Sequence, residues 1–322
     1  MSKEIEIDGQ KYEVLDAKEH MTAPDCWVLK NKIGGGHGEA KFYVGQDSEN
    51  LWKFFDNLKR KCFFLKSDLL KYLQEVKEEY ENPQQPYKNK TTMVQDWKDY
   101  NKEINELDKE VLDFNFEHQK QIEPPRIYFN SDDNIYELIR KISLPNITYL
   151  SALKVKSKDN EVYYYFRLFV DYFGQEFKDS RTENQIKESP KLSEKQKDVL
   201  VKARVGQGKY REGVLKECPF CPITMVSDDR LLIASHIKQW VKSDDKEKID
   251  PKNGFMFTPT YDFLFDRGFI SFTDDQKMIV SAWLSKMTCG KLNLIDGKKY
   301  PLLPVEGRKK YLEYHRKSVF KA

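Results

Sequence analysis

LLIASHIKQW, residues 231–240, is an apolar run of β character that leads into His236, one of five histidines in 322 residues. Asn253 follows 17 residues later at the head of NGFMFT, and Asp262 stands nine residues beyond that in PTYDFLFDRG. Each residue type has a distinct chemical use. Neutral imidazole is well matched to taking a proton near pH 7. A carboxylate holds a hard divalent cation such as Mg²⁺, which neutralises charge developing on phosphoryl oxygens. An asparagine has both donors and an acceptor with which to tie a loop together. Hydrolysis of a phosphodiester needs a base, an electrophile and fixed geometry, and His236, Asp262 and Asn253 match those roles in turn.

The residues around these three read as strand, loop, strand and short helix. Thr258 is a natural N-cap with Pro259 at the first helical position, and Gly268 is placed to end the helix. Such a skeleton turns His236, Asn253 and Asp262 toward one crevice. Upstream, VKARVGQGKYREGVLKE gathers Lys202, Arg204, Lys209, Arg211 and Lys216 between small turn residues. That pattern suits a phosphate clamp and suits a solvated helix face equally well. A lone histidine is more often a packed core residue, and the company of Asn253, Asp262, the capped helix and the basic cluster reverses that preference.

From about residue 202 to 320 the chain resembles the HNH nucleases with a ββα-metal site, in particular their restriction-endonuclease branch. The motifs stand at Arg204 to Arg211 (with Gln207 inside), Ser235 to Trp240, Asn253-Gly254, Asp262 to Phe272 and Tyr311 to Arg316. Several motifs in one order make the signal specific, although it covers little more than the last third of the chain. The resemblance implies that His236 activates water, that Asn253 braces the loop and that Asp262 binds the metal. The family name expects histidine at that last position, and an aspartate there favours Mg²⁺ or Mn²⁺ over a softer ion. Many ββα-metal enzymes also carry a metal-binding aspartate just before the histidine, where this chain has Ser235. Asp266, one helical turn after Asp262, is a candidate for the missing ligand, and holding a neighbouring arginine or capping a backbone turn are its other uses. Lys238 and Arg267 are the expected phosphate contacts, with Arg204, Gln207, Lys209 and Arg211 as further DNA contacts.

Cys218 and Cys221, in CPFC, have the spacing of half a tetrahedral zinc site. No second CxxC exists, and Cys289 and His315 are the only downstream Cys and His candidates, so buried thiols are preferred to a structural Zn²⁺.

The expected fold class is α+β, with a C-terminal ββα-metal HNH nuclease domain behind an N-terminal mixed α/β and helical recognition region. The boundaries read as 1–125, a mixed and helical region; 126–190, a middle α+β region and linker; and 191–322, the nuclease domain. EIEIDGQKYEVL alternates like an edge hairpin, while CWVLKN and AKFYVG read as short strands around the turn IGGGHGE, which lacks the Gly-Lys-Ser/Thr ending of a phosphate loop. Residues 51–123 read as charged helices closed by Pro124 and Pro125, and EVYYYFRLFVDYFG as an aromatic strand covered on both faces.

Hydrophobic residues at 39% and aromatics at 13% argue for a folded chain, whereas Lys+Arg 55 against Asp+Glu 52 leaves a net charge of +3 and no global steering of a polyanion. Five scattered cysteines are no disulfide framework, and neither a secretory h-region nor a membrane-length apolar run is present, so a soluble cytoplasmic protein without membrane contact is expected. The expected activity is metal-dependent restriction of double-stranded DNA, made sequence-specific by the N-terminal region, with a symmetric homodimer for a palindromic site and a cognate methyltransferase as partner. The alternatives are restriction that depends on a modified base and a toxin nuclease without sequence choice. A non-catalytic DNA-binding protein is disfavoured by the intact His236, Asn253 and Asp262.

Overall fold

Asp8 and Gly9 both take positive φ, 48° and 75°, the backbone twist of a two-residue hairpin turn. They join β1 (Lys3–Ile7) to β2 (Gln10–Thr22) in register Ile7 to Gln10. The computed structural model describes residues 3–29, 32–33, 40–56, 60–171, 193, 197, 201 and 208–322. The chain divides into two units, Met1–Phe173 and Gly174–Ala322. Arg204, Gln207, the turn at 34–39 and the division expected near 190 lie outside the described residues.

After the first hairpin come β3 (Phe42–Gln46), α1 (Glu49–Phe54), β4 (Cys62–Leu65), α2 (Lys66–Glu81) and α3 (Met93–Asn105). Next are β5 (Val111–Phe114), β6 (Glu117–Gln121), β7 (Arg126–Asn130), α4 (Asn134–Ile142), β8 (Thr148–Lys156) and β9 (Val162–Val170). One sheet runs β1-β2-β8-β9-β4-β5 and a second β3-β7-β6. Strands from both sides of residue 125 share the larger sheet, so the boundary expected there falls inside one unit. Pro124 and Pro125 lie in the turn between β6 and β7, whose ladder closes at Gln121 and Arg126. Two further expectations change. CFFL inside the supposed helical stretch is the parallel neighbour of β9, a strand too short to break a charged helical pattern. CWVLKN forms a turn over its described residues, with Trp27 buried and its indole N–H donating to the Tyr136 hydroxyl at 2.9 Å.

Tyr164, Phe166 and Leu168, on one face of β9, join Leu69, Tyr72, Leu73 and Val76 of α2 in the main core. The core also encloses a cation. Lys32 donates to the carbonyls of Lys141 (2.7 Å) and Ser143 (2.9 Å), which are orphan acceptors at the C-terminus of α4. Burial pulls its ammonium down to about 7, and the neutral acceptors are what keep it satisfied.

The second unit contains α5 (Gly208–Glu217), β10 (Ile233–His236), β11 (Gly254–Phe257) and α6 (Pro259–Asp266). β12 (Ile270–Phe272), β13 (Met278–Val280), α7 (Lys286–Lys291) and α8 (Lys309–Tyr314) follow. β10 and β11 pair antiparallel with His236 opposite Gly254, and α6 packs back on both. The start of α6 departs from expectation in one detail. Thr258 has the extended backbone of an N-cap, but its hydroxyl makes no capping bond, and its carbonyl accepts from Tyr261 and Asp262 instead. The end is a Schellman turn: Phe269 N–H donates to Leu264 O at 2.8 Å and Gly268 N–H to Phe265 O at 2.9 Å, with Gly268 at φ 71°. A Cβ on Gly268 would also run into the Val319 carbonyl. Phe255, Phe257, Phe265 and Phe272 pack in edge-to-face, tilted and stacked pairs with centroids 5.3 to 6.2 Å apart, an aromatic floor under the ββα unit.

Candidate active site

His236 is the last residue of β10, so the ladder with β11 fixes its backbone. Its Nε2 lies 3.0 Å from the Lys248 carbonyl. A carbonyl only accepts, so Nε2 carries the proton and the neutral ring presents its lone pair at Nδ1. The imidazole stacks on Tyr210 with centroids 4.3 Å apart and planes 10° from parallel, and it meets Trp240 edge-on at 5.5 Å. Burial pushes its pKa down to about 4, partly opposed by the Lys248 carbonyl. At neutral pH the ring is therefore an unprotonated acceptor.

Asn253 is fully buried. Its Oδ1 accepts from the Lys238 N–H at 2.8 Å, and its Nδ2 donates to the carbonyls of Lys238 (3.2 Å) and Glu247 (3.1 Å) and to Ser243 Oγ (3.3 Å). One side chain thus ties both limbs of the 237–253 loop, including the turn next to Lys248, whose carbonyl orients His236. Gly254 follows for a steric reason: a Cβ there would strike the Tyr210 hydroxyl and crowd Val214.

Asp262, in the first turn of α6, is held up to about 6 by burial, then by the charge of Asp266 one turn away; the Ser235 hydroxyl lowers it in part. Ser235 Oγ is enclosed and, apart from facing that carboxylate, has no hydrogen-bond partner among the described residues. Two mutually repelling carboxylates beside an under-satisfied hydroxyl form an oxygen-only donor set of the kind a hard divalent cation takes. Among the described residues no group of three or more His, Cys, Asp or Glu could hold an ion.

The basic residues divide. Lys209 stands exposed in the first turn of α5. Arg267 caps α6, with its guanidinium 4.9 Å over the Phe263 ring and its Nε 4.0 Å from Asp266 Oδ2. Arg211 is spent internally on the carbonyls of Leu232 (2.9 Å) and Asp229. Lys238 is half-buried, ion-paired to Glu247 and 5.5 Å over the Tyr314 ring. Cys218 and Cys221 are buried thiols; Cys218 donates to the Phe220 carbonyl at 3.3 Å, and burial pushes its pKa up to about 11. Both nitrogens of His315 are engaged elsewhere, by Ser271 Oγ and the Phe265 carbonyl, each at 2.9 Å.

Residues 221–273 match a family model described as HNH endonuclease, a span that runs from Cys221 through β10, the loop, β11 and α6 to the end of β12. No curated protein matches the chain. Within the second unit, residues 221–273 are thus similar to HNH endonucleases, and that likeness suggests nuclease activity.

Sequence reading missed four residues that build this site. Tyr210 and Trp240 wall the imidazole. Arg308, 1% exposed, donates to the Gly254 carbonyl at 3.1 Å and pairs with Glu217 at 2.7 Å, which pins the turn after Asn253 to α5. Tyr311 donates to Asp250 at 2.7 Å and anchors the loop's far end. A usable signal existed for Tyr210, Trp240 and Tyr311, since all three sit inside motif stretches that the resemblance covers, and none existed for Arg308.

Proposed function

We propose that the chain is a metal-dependent restriction endonuclease that hydrolyses phosphodiester bonds in double-stranded DNA. The observation that carries this reading is the likeness to HNH endonucleases over residues 221–273, within which His236 is held through Nε2 at the end of β10 and Asp262 stands on the helix that packs against that strand. Nδ1 takes a proton from water; the water oxygen attacks phosphorus; one P–O ester bond breaks, and the departing oxygen is reprotonated from solvent. Asp262, with Asp266 as the candidate second ligand, would hold Mg²⁺ or Mn²⁺, which when bound supplies positive charge to the phosphate oxygens. Nearby phosphate raises the pKa of the imidazole from about 4 toward the range in which it is an effective base. Asn253 keeps the Lys248 carbonyl in place and so keeps the tautomer. Lys209 and Arg267 are the cations we assign to the DNA backbone. Arg211 and Lys238 are assigned to holding the domain together. The first unit, with its own core, is large enough to serve as the device that reads sequence; a homodimer and a cognate methyltransferase belong to the same reading.

The test is incubation of unmodified and base-modified plasmid with Mg²⁺ or EDTA, with sequencing of the ends. Discrete fragments from unmodified DNA, lost with EDTA, are expected. Cutting confined to modified DNA would replace sequence restriction by modification-dependent restriction, and a smear would point to a nuclease without sequence choice.

A further inference from the structure

We infer that Tyr210 is a positioning residue for His236: its ring sets the plane of the imidazole, and its hydroxyl ties that plane to the loop braced by Asn253. The inference rests on the reading of His236 as the base. Tyr210 lies on the buried side of α5, 2% exposed, and its ring is nearly parallel to the imidazole at 4.3 Å. The phenol O–H donates to the Asn253 carbonyl at 3.1 Å. Trp240 closes a second side at 85° and 5.5 Å, and the Lys248 carbonyl engages Nε2. With Tyr210 on one side, Trp240 on another and one nitrogen taken, the ring cannot turn about χ2 without breaking a contact, and Nδ1 is the nitrogen left without a hydrogen bond among the described residues.

Two further contacts make Tyr210 more than core filler. The Gly254 position admits no Cβ because the phenol hydroxyl occupies that space, so α5 and the head of β11 are fitted to each other at this atom. Trp240 also carries the Lys248 ammonium 5.4 Å over its ring, so the residue that supplies the orienting carbonyl is held by the same aromatic wall. A base displaced by about 1 Å forfeits on the order of 10²-fold in rate. Tyr210 thus connects the basic stretch before it to proton transfer through geometry, without touching DNA.

The test uses the full chain and three variants. Tyr210→Phe keeps the ring and removes the hydroxyl; Tyr210→Leu and Tyr210→Met remove the aromatic face. We expect kcat for Mg²⁺-dependent plasmid cleavage to fall about 10²-fold in the Leu and Met variants, with DNA affinity within about twofold of wild type and most of the rate recovered in Phe. A second readout needs no activity. In metal-free protein with isotope-labelled histidine, ring current from the stacked phenol moves the carbon-bound His236 ring protons upfield, a shift retained in Phe and lost in Leu. Unshifted His236 protons in the wild-type protein, or a Leu variant with full kcat, would overturn the inference. If neither Leu nor Met folds, the wild-type spectrum decides. Should His236→Ala cleave at the wild-type rate, the base assignment fails, while the spectrum still reports whether Tyr210 sets the ring.

Discussion

The second unit sets two histidines against aromatic rings, His315 buried and His236 half-buried, and gives them different hydrogen-bond partners. His236 stacks on Tyr210 at 4.3 Å, and His315 stacks on Phe265 at 3.9 Å. Both donate through Nε2 to a backbone carbonyl, of Lys248 and of Phe265. Burial takes both down to about 4. The difference is the remaining nitrogen. His315 Nδ1 accepts from Ser271 Oγ at 2.9 Å, so all its polar capacity goes into joining the C-terminal segment to α6 and β12. For His236 the one hydrogen bond found among the described residues is at Nε2, and Nδ1 makes none. Stacking and a depressed pKa are common to both rings, so the proposal that His236 is the base rests on its unspent lone pair.

Exchanging the two histidines in turn tests that distinction most strongly. His236→Ala should lower metal-dependent cleavage by about 10³-fold or more, with DNA binding and cooperative unfolding retained. His315→Ala leaves the Ser271 hydroxyl and Phe265 carbonyl unpartnered around a cavity and should cost about 3 kcal/mol of stability, with kcat per folded molecule within about threefold. Parallel melting curves and cleavage rates separate the outcomes. A His315→Ala protein that folds normally but does not cut would erase the contrast.

The acid limb of stability sharpens it. His315 is almost fully buried, and its folded value of about 4 lies below the ordinary 6.5. A depressed histidine contributes stability that is complete above 6.5 and is lost as pH falls toward 4, because the unfolded chain binds the proton first. The drop from 6.5 to about 4 corresponds to roughly 3 kcal/mol. Chemical denaturation between pH 7.5 and 4 should show that slope, reduced in His315→Gln. An unchanged slope in the variant would place the acid sensitivity elsewhere.

What the sequence disclosed about these two histidines follows from where each signal resides. His236, Asn253 and Asp262 stood out as candidates because strand, turn and helix punctuation sit within a few residues of each, and of that punctuation the helix did run from Pro259 to a stop at Gly268. The partner that orients His236 was not legible, since a backbone carbonyl at Lys248 carries no residue-type signal and the loop reaches it through short 3₁₀ turns. Arg211 and Lys238 illustrate the same limit. A cation that serves the fold and one that faces solvent look alike in sequence, and only the path of the 229–232 turn and the position of Glu247 separate them. In the first unit, β4 hid inside a charged stretch because four residues between lysines cannot outweigh the helical periodicity around them.

The smallest effect concerns what each open or closed nitrogen faces. Around His315 every polar atom is paired, so Ser271→Ala, which removes one partner, should destabilise by about 1 kcal/mol. Around His236 the neighbouring carboxylates repel each other, and Asp262 is the one held up by burial and by Asp266. Removing that charge in EDTA relieves a cost, so Asp262→Asn should be more stable than wild type by about 1 kcal/mol while losing cleavage. Added Mg²⁺ should then raise the wild-type melting temperature, by about 2.7 kcal/mol of stabilisation at 100 times its Kd, and leave the variant unmoved. If Asp262→Asn destabilises the metal-free protein as Ser271→Ala does, the two sites are both structural scaffolding, and the carboxylates are not held in readiness for a cation.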